Sequence, residues 1–183
     1  MNRKSNEQIF KEAYAIAIAK VERFAFRRLA EFGEVLLKHA RDGKKGWNSF
    51  TGNTITSLAF GVYNNGSLTD VVFVSGVKPP VHAKIQNGET LYLDDPYEGE
   101  PRSVKGRVEV YDEWGTETSV KTLKSLTPKN GNGIVVTTGT EYSEFLEKKA
   151  DCNVLSDTEM YARMFGLSWM QSKLKNNISI DKL

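Results

Sequence analysis

Cys152, His39 and His82 are the side chains of this 183-residue sequence that could supply a nucleophile and its base. A cysteine becomes an effective nucleophile when a neighbouring imidazole accepts its proton. Neither histidine lies in a recognisable motif: His39 falls on the last turn of a predicted helix, where the helix dipole favours a cation, and His82 falls in a predicted strand. The carboxylate of Asp151 disfavours a thiolate at Cys152. We therefore predict that the chain is not an enzyme and has no catalytic residues.

An acidic loop at residues 94–102, DDPYEGEPR, is a candidate for binding a cation. Clustered carboxylates can hold Ca²⁺ or Mg²⁺. This loop contains two prolines and lacks the alternating ligand spacing of a calcium-binding loop. We interpret it as a solvated loop, and we expect no metal and no other cofactor.

Glycines at Gly131 and Gly133 raise the question of phosphate binding. A P-loop needs a lysine followed by serine or threonine at the start of a helix, directly after its last glycine. Here Gly133 precedes the aliphatic run 134–138, which predicts a strand. The two glycines therefore indicate a turn.

The first predicted helix has a basic side in which acidic residues are interleaved. Mixed signs along a helix are typical of a solvated or interfacial face with ion pairs between successive turns. The formal net charge of the whole chain is only +2, from 25 basic and 23 acidic residues. Because coating nucleic acid requires a strongly basic surface, this balance argues against that class of protein. The basic residues are Arg23, Arg27, Arg28, Lys38 and Arg41, and the acidic ones are Glu22, Glu31 and Glu34.

Two separate segments carry a set of residues in a fixed order. Residues 47–66 read WNSFTGNTITSLAFGVYNNG, in which a Thr-Gly-Asn turn leads into a predicted strand. Residues 133–156 read GIVVTTGTEYSEFLEKKADCNVLS, with a glycine, an aliphatic strand, a Tyr-x-x-Phe-x-Glu turn and a Val-Leu that opens the last helix. Together they resemble the two signature segments of the tail-completion or neck family of tailed bacteriophages. The residues that carry this resemblance are Thr51, Gly52, Asn53, Gly133, Tyr142, Phe145, Glu147, Val154 and Leu155.

The resemblance implies a fold and an assembly. It implies an α+β subunit in which a long N-terminal helix packs on a mostly antiparallel sheet, with a C-terminal helix, and it implies that the matching residues shape this fold. It further implies a homo-oligomeric ring, hexameric or dodecameric, at the neck or tail junction of a virion assembled in the cytoplasm of the bacterial host. Such a ring joins the portal or an adaptor to the tail proteins and lets genomic DNA pass without sequence recognition.

The residues alone leave two other functions open. One is a small cytosolic enzyme, which a strongly perturbed acid or base in a deep pocket would indicate. The other is a DNA-binding module, which a basic face with exposed aromatic residues would indicate.

A long helix is predicted at the N-terminus. Ser5 with Gln8 three residues later matches a capping box. Apolar residues recur at helical spacing to position 40, which predicts a stripe that faces the core. Further apolar residues lie off this stripe, so the helix is either central in the core or also packs on a neighbouring subunit. The stripe is Phe10, Tyr14, Ala17, Val21, Ala25, Leu29, Phe32, Leu36 and Ala40, and the candidate interface residues off it are Ile9, Ile16, Phe26 and Leu37.

A β-rich middle follows the helix. Residues 58–63 and 68–75 are predicted strands joined by the turn Asn64-Asn65-Gly66, and we expect them to share one sheet with residues 134–138. Residues 81–85 and 90–93 flank Asn87-Gly88 and predict a second hairpin. The β-rich segment 78–113 is an insertion relative to the family, and we expect its hairpin to project towards a neighbouring subunit.

The C-terminal third returns to helix. Residues 118–126 and the spacing of Tyr142, Phe145 and Leu146 predict short helices. A second capping box, residues 156–159, predicts the start of a final helix whose apolar residues point inwards, and residues 176–183 predict a tail. We expect one domain over residues 1–183, with no signal peptide and no internal disulfide, since Cys152 is the single cysteine. The inward residues of the final helix are Met160, Tyr161, Met164, Phe165, Leu167, Trp169 and Met170.

Overall fold

The predicted fold class is confirmed by a computed structural model of the chain. The structure describes residues 5–42, 52–77, 83–85, 89–94, 101–105, 108–110, 114–126, 131–140, 143–148 and 153–177. A long N-terminal helix and a C-terminal helix accompany an antiparallel sheet, so the chain is α+β. The helices are α1 (Asn6–Asp42), α2 (Asn53–Thr56), α3 (Trp114–Ser125), α4 (Ser143–Lys148) and α5 (Val154–Asn177). The strands are β1 (Ala59–Asn64), β2 (Ser67–Phe73), β3 (Ala83–Ile85), β4 (Thr90–Asp94), β5 (Pro101–Lys105), β6 (Val108–Val110) and β7 (Gly133–Thr137).

The three strands predicted to share a sheet do so, in the order β2-β1-β7. Both pairings are antiparallel, so Ala59 in the central strand lies opposite Phe73 on one side and Thr137 on the other. Asn65 and Gly66 both have positive φ, 47° and 81°, as a two-residue type I′ hairpin turn requires. The Asn-Gly turn therefore sets the pairing of Asn64 with Ser67, and the register shifts by one residue between Val62 and Tyr63.

Helix α1 runs unbroken for 37 residues from the predicted capping box. The amide of Ser5 donates to Oε1 of Gln8 at 3.0 Å, and the amide of Gln8 donates to Oγ of Ser5 at 3.2 Å. These two bonds satisfy donors that a helix start otherwise leaves free.

The core lies between the C-terminal half of α1 and the inner face of the sheet. Gly33 permits the close approach of α1, because a Cβ there would lie 2.5 Å from the ring of Phe60. Strand β1 is buried along most of its length, as expected for the centre of a three-stranded sheet. The buried core cluster consists of Leu37, Ala40, Leu58, Phe60, Val62 and Val154.

Helix α5 packs antiparallel on the C-terminal half of α1. Tyr161 stacks on His39 with ring centroids 4.3 Å apart, and Trp169 packs on Phe32 at 5.2 Å. Moving eight residues along α5 thus moves seven residues back along α1. Helix α5 continues for eight residues beyond Trp169 and ends at Asn177. By the same ratio, its end lies opposite about residue 25 of α1.

The first half of α1 consequently extends beyond its partners, which corrects the prediction of a core-facing stripe along the whole helix. Residues 5–23 are all exposed, and partial burial begins at Phe24. The helical period of the sequence identifies the apolar face of α1, but it does not show which elements cover that face. The three-stranded sheet and α5 together cover only the C-terminal half of α1. Several residues predicted to point inwards from α5 are also exposed, namely Met160, Met164, Phe165 and Leu167.

The insertion is β-rich as predicted, but the predicted pairing within it is wrong. Strand β3 pairs with β6, and β4 pairs with β5, so β3 and β4 are not hairpin partners. The inner ladder joins Thr90 to Lys105 and Asp94 to Pro101. The pairing is therefore nested, with β4 and β5 lying in sequence between β3 and β6.

Two predicted boundaries near the C-terminus also shift. Helix α3 begins at Trp114, four residues before the predicted start, and α5 begins at Val154 rather than at Ser156. The predicted tail begins inside α5, which continues to Asn177. Of the helices in the described part of the chain, none combines the length and hydrophobicity needed to cross a bilayer.

Candidate functional site

Residues 47–66 and 133–156 meet in a buried cluster of hydroxyl groups. Oγ of Ser57 lies 2.7 Å from Oγ1 of Thr138 and accepts a hydrogen bond from the amide of Gly139 at 3.1 Å. Oγ of Ser119, on α3, donates to the carbonyl oxygen of Ser57 at 2.6 Å. Oγ1 of Thr54 and Oγ1 of Thr140 lie 3.5 Å apart. The cluster therefore joins α2, α3 and the end of β7 through buried hydrogen bonds, which specify one arrangement of these elements.

Gly52 and Asn53 form the turn that begins α2. Gly52 has φ 83°, a left-handed conformation that favours glycine. Asn53 is 1 % exposed, and its carbonyl oxygen accepts from the amide of Ser57 at 3.0 Å. Thr51 lies outside the described residues. The two described members of the motif thus hold the backbone turn that positions Ser57.

Gly115 and Gly139 allow the backbones of α3 and the residues after β7 to touch. A Cβ at Gly139 would lie 1.9 Å from the carbonyl oxygen of Gly115. A Cβ at Gly115 would lie 2.8 Å from Cβ of Ser57. These glycines and the hydroxyl cluster were missed by sequence reasoning, although the run Thr137-Thr138-Gly139-Thr140 of small polar residues after a strand was a signal for them.

Glu147 caps the N-terminus of α5 from outside that helix. Its Oε1 accepts from the amide of Leu155 at 2.6 Å, and its Oε2 accepts from the amide of Ser156 at 3.2 Å and from Oγ of Ser156 at 2.7 Å. The capping box predicted at residues 156–159 is therefore wrong, because Ser156 is already inside the helix and binds Glu147. A carboxylate at this position is also favoured by the helix dipole.

The remaining motif residues are dispersed. Val154 is buried in the core cluster, and Leu155 packs against it. Gly133 lies at the start of β7, opposite Tyr63, and a Cβ there would meet nothing within 4 Å. Phe145 is in α4, but its side chain is outside the described part of the structure, as is the whole of Tyr142.

The four candidate interface residues divide between surface and core. Ile9 and Ile16 are 53 % and 58 % exposed. They lie in the exposed first half of α1, residues 6–23, which we call the overhanging half of α1. Phe26 is half-buried and packs partly on the core cluster. Leu37 is 3 % exposed and belongs to that cluster, which corrects its assignment to a subunit interface.

The residues considered for catalysis and cation binding are not brought together among the described residues. Cys152, His82 and residues 95–100 lie outside them. The ring of His39 stacks on Tyr161 at one edge of the α1–α5 contact. Within the described ranges there is no group of three histidine, cysteine or acidic side chains arranged to hold a metal ion.

Two ionisable groups, the buried Tyr63 and the partly exposed Arg41, connect neighbouring elements. The hydroxyl of the buried Tyr63 donates to the carbonyl oxygen of Leu123 at 2.6 Å, and burial raises the pKa of Tyr63. A hydrogen bond to Asp42 raises the pKa of Arg41, and Nη1 of Arg41 also donates to the carbonyl oxygen of Ser75 at 3.2 Å. These bonds tie α3 to β1 and the end of α1 to the end of β2.

A groove of about 500 Å³ lies between α1, β7 and the α4–α5 junction. Its lining includes the apolar Phe32, Leu36 and Val136 and the charged Glu147 and Lys148. Because the carboxylate of Glu147 is engaged at the start of α5, the groove presents mainly apolar surface.

Comparisons with protein-family models, with curated proteins and with solved structures found no match.

Proposed function

We propose that this chain is a structural virion protein of a tailed bacteriophage, which forms a ring at the neck or tail junction. The ring contains six or twelve copies, joins the portal or an adaptor to the tail proteins, and encloses a channel through which genomic DNA passes without sequence recognition. In this role the chain carries out no chemical reaction and uses no cofactor. It is assembled in the cytoplasm of the bacterial host and resides in the virion.

The observation that carries this proposal is the large exposed apolar surface of the overhanging half of α1. Phe10, Tyr14 and Val21 are each more than half exposed there. Exposed apolar surface of this extent marks sites of protein–protein contact in proteins that are otherwise well packed. A subunit that finishes burying its longest helix only in an assembly fits a ring better than it fits an isolated enzyme.

The packing of the motif residues also supports the proposal. The two segments that resemble the neck family lie far apart in sequence, yet Ser57 of the first segment binds Gly139 of the second. Within the second, Glu147 binds Leu155. These contacts show that residues of both segments help to hold together one small α+β fold.

The balance of charge is compatible with a channel for DNA. Each phosphate that a protein neutralises adds salt-dependent affinity, and a strongly basic ring would grip the genome. The formal net charge of +2 per chain gives no sign of a strongly basic protein of that kind.

Cryo-microscopy of virions and native mass spectrometry of the purified protein test the proposal. The virion should contain a ring of six or twelve copies of this chain between capsid and tail. A capsid–tail junction built without this chain would overturn the proposal. So would a closed dimer found both in solution and in the particle.

A further inference from the structure

An exposed apolar stripe runs along the overhanging half of α1. Phe10, Tyr14, Ala17 and Val21 are spaced by four, three and four residues, so they lie on one face of the helix. All four are exposed, and Phe10, Tyr14 and Val21 expose 71 %, 61 % and 58 % of their surface. We call these four residues the α1 stripe.

A second exposed stripe with the same spacing runs along the outer side of α5. It consists of Met160, Met164, Leu167 and Gln171, which we call the α5 stripe. Met160, Met164 and Leu167 expose 55 %, 66 % and 71 % of their surface. The stripe lies away from Trp169, which packs on α1, so it remains uncovered within the subunit.

The α1 stripe continues a face of α1 that already binds a helix. Phe10, Val21 and Phe32 are separated by steps of eleven residues, which is about three turns of an α-helix. Phe32 receives α5 through Trp169 and lies against Gly166. Because α5 ends opposite about residue 25 of α1, the same face continues for roughly 27 Å, the length of 18 helical residues, without a partner among the described residues.

We propose that the α1 stripe of one copy packs on the α5 stripe of a second copy. This inference rests on the proposed self-association and names the two surfaces that form it. The two stripes have the same spacing, so the apolar side chains from Met160 to Leu167 can interdigitate with the α1 stripe over about two helical turns, with Gln171 at one end. The helix of the neighbouring copy then covers α1 directly beyond the end of the subunit's own α5.

The alternative, in which the α1 stripes of two copies pair with each other, gives the α5 stripes no partner. It would bury both α1 stripes but would leave both α5 stripes exposed. A contact between α1 and α5 buries one stripe of each kind and leaves the complementary stripes free for further copies. Such a heterologous contact repeats from copy to copy and produces a ring when the rotation closes.

Disulfide trapping distinguishes these arrangements. The native thiol is first removed with Cys152→Ser, and Ala17→Cys and Met164→Cys are then made separately and together. Met164 lies three residues beyond Tyr161, and therefore opposite about residue 36 of α1. Ala17 is 19 residues from that point, or roughly 28 Å along the helix. A disulfide needs Cα atoms within about 7 Å, so positions 17 and 164 of one chain cannot be joined.

Under mild oxidation, a mixture of the two single-cysteine variants should give covalent dimers that contain one copy of each. Neither variant alone should give dimers, and the double variant should give a ladder of higher multimers. A disulfide forms only when the two cysteines lie directly opposite each other, so further mixtures test neighbouring registers. In these, Tyr14→Cys or Val21→Cys is mixed with Met160→Cys or Leu167→Cys. Dimers of an α1-cysteine variant with itself would overturn the inference, and so would the absence of mixed dimers from every pair over a rising series of protein concentrations.

A matched pair of charge substitutions gives a second readout. Ala17→Asp places a charge in the α1 stripe, whereas Ala15→Asp makes the same change two residues away, on the exposed opposite side of the helix. Ala17→Asp should lower the yield of mixed dimers at least tenfold, and Ala15→Asp should lower it less than twofold, with unchanged helical circular dichroism for both. Equal loss from both substitutions would contradict the inference.

These results are separable from those that test the proposed function. Mixed dimers together with a virion that lacks the ring would overturn the function and leave the docking surfaces in place. A ring in the virion whose α1 helices pair with one another would support the function and overturn the proposed docking surfaces.

Discussion

The carboxylate of Glu147 holds the first turn of α5 through the amide of Leu155, at 2.6 Å. The two residues are eight positions apart and belong to different helices. This bond places a negative charge where the amides of the first turn of α5 are otherwise unpaired. It also gives a physical reason for a glutamate near the end of α4, because its carboxylate reaches the amides at the start of α5.

Replacing Glu147 should therefore lower the stability of the protein. We expect Glu147→Ala to reduce the free energy of unfolding by about 1–2 kcal/mol, because the capping bonds are lost. Glu147→Gln, which keeps one acceptor oxygen but no charge, should cost about half as much. Urea denaturation followed by circular dichroism measures both. The control is Glu159→Ala, which removes only an exposed ion pair with Arg163 and should cost less than about 0.5 kcal/mol.

Replacement by alanine should lower the stability of the protein strongly at Gly139 and little at Gly133. Gly139→Ala forces a Cβ to within 1.9 Å of the carbonyl oxygen of Gly115, so we expect a loss of at least ~3 kcal/mol or a failure to fold. Gly133→Ala meets no atom within 4 Å, and its stability should stay within about 1 kcal/mol of wild type. Thermal unfolding compares the two variants directly. Equal effects would show that the contact between Gly115 and Gly139 is not the reason for glycine at 139.

Features that depend on neighbouring residues could be predicted from the sequence. The Ser5–Gln8 capping box and the Asn65-Gly66 turn are complete within four residues, and both occur as predicted. That three strands share one sheet was predicted from their apolar faces, which need a common helix to cover them, whereas their order was not predicted.

Features that depend on distant partners could not be predicted in this way. The Asn87-Gly88 signal indicated a hairpin between adjacent strands, but strand pairing depends on the whole ladder, and β3 pairs with β6 instead. The residues at 156–159 matched a capping box, but Glu147 supplies a better acceptor from outside the helix. Helical periodicity identified the apolar face of α1, but the length of the face that the subunit covers depends on where α5 ends.

Stability at alkaline pH should depend on Tyr63. Burial raises the pKa of Tyr63 in the folded state above that of the unfolded chain, so the stability that this group contributes is complete below the unfolded pKa of about 10. It is lost as the pH rises from there through the folded pKa, because the unfolded state releases its proton first. Tyr63→Phe should be less stable than wild type at pH 8, since it loses the bond to Leu123, and the gap should narrow at higher pH. Urea denaturation at pH 8 and at alkaline pH gives the difference, and a gap that widened would contradict this account.

The insertion at residues 78–113 should be dispensable for folding. The described strands within it pair with one another, and none of them joins the β2-β1-β7 sheet. Replacing the insertion by a short Gly-Ser linker should leave a protein with cooperative thermal unfolding that fails to assemble. A product without cooperative unfolding would show instead that the insertion contributes to the core.

Aspartate substitutions along α1 should separate assembly from folding. Ile16 is more than half exposed, so Ile16→Asp should leave the free energy of unfolding within about 0.5 kcal/mol of wild type and reduce assembly. Leu37→Asp would bury an unpaired charge in the core and should prevent folding. Phe26→Asp, at a half-buried position beside the core, should fall between the two and lower stability by about 1–3 kcal/mol. Circular dichroism measures folding, and native mass spectrometry of the protein mixed with the proposed capsid–tail partners measures assembly. If Ile16→Asp unfolded the protein, the overhanging half of α1 would have to be part of the subunit's own core.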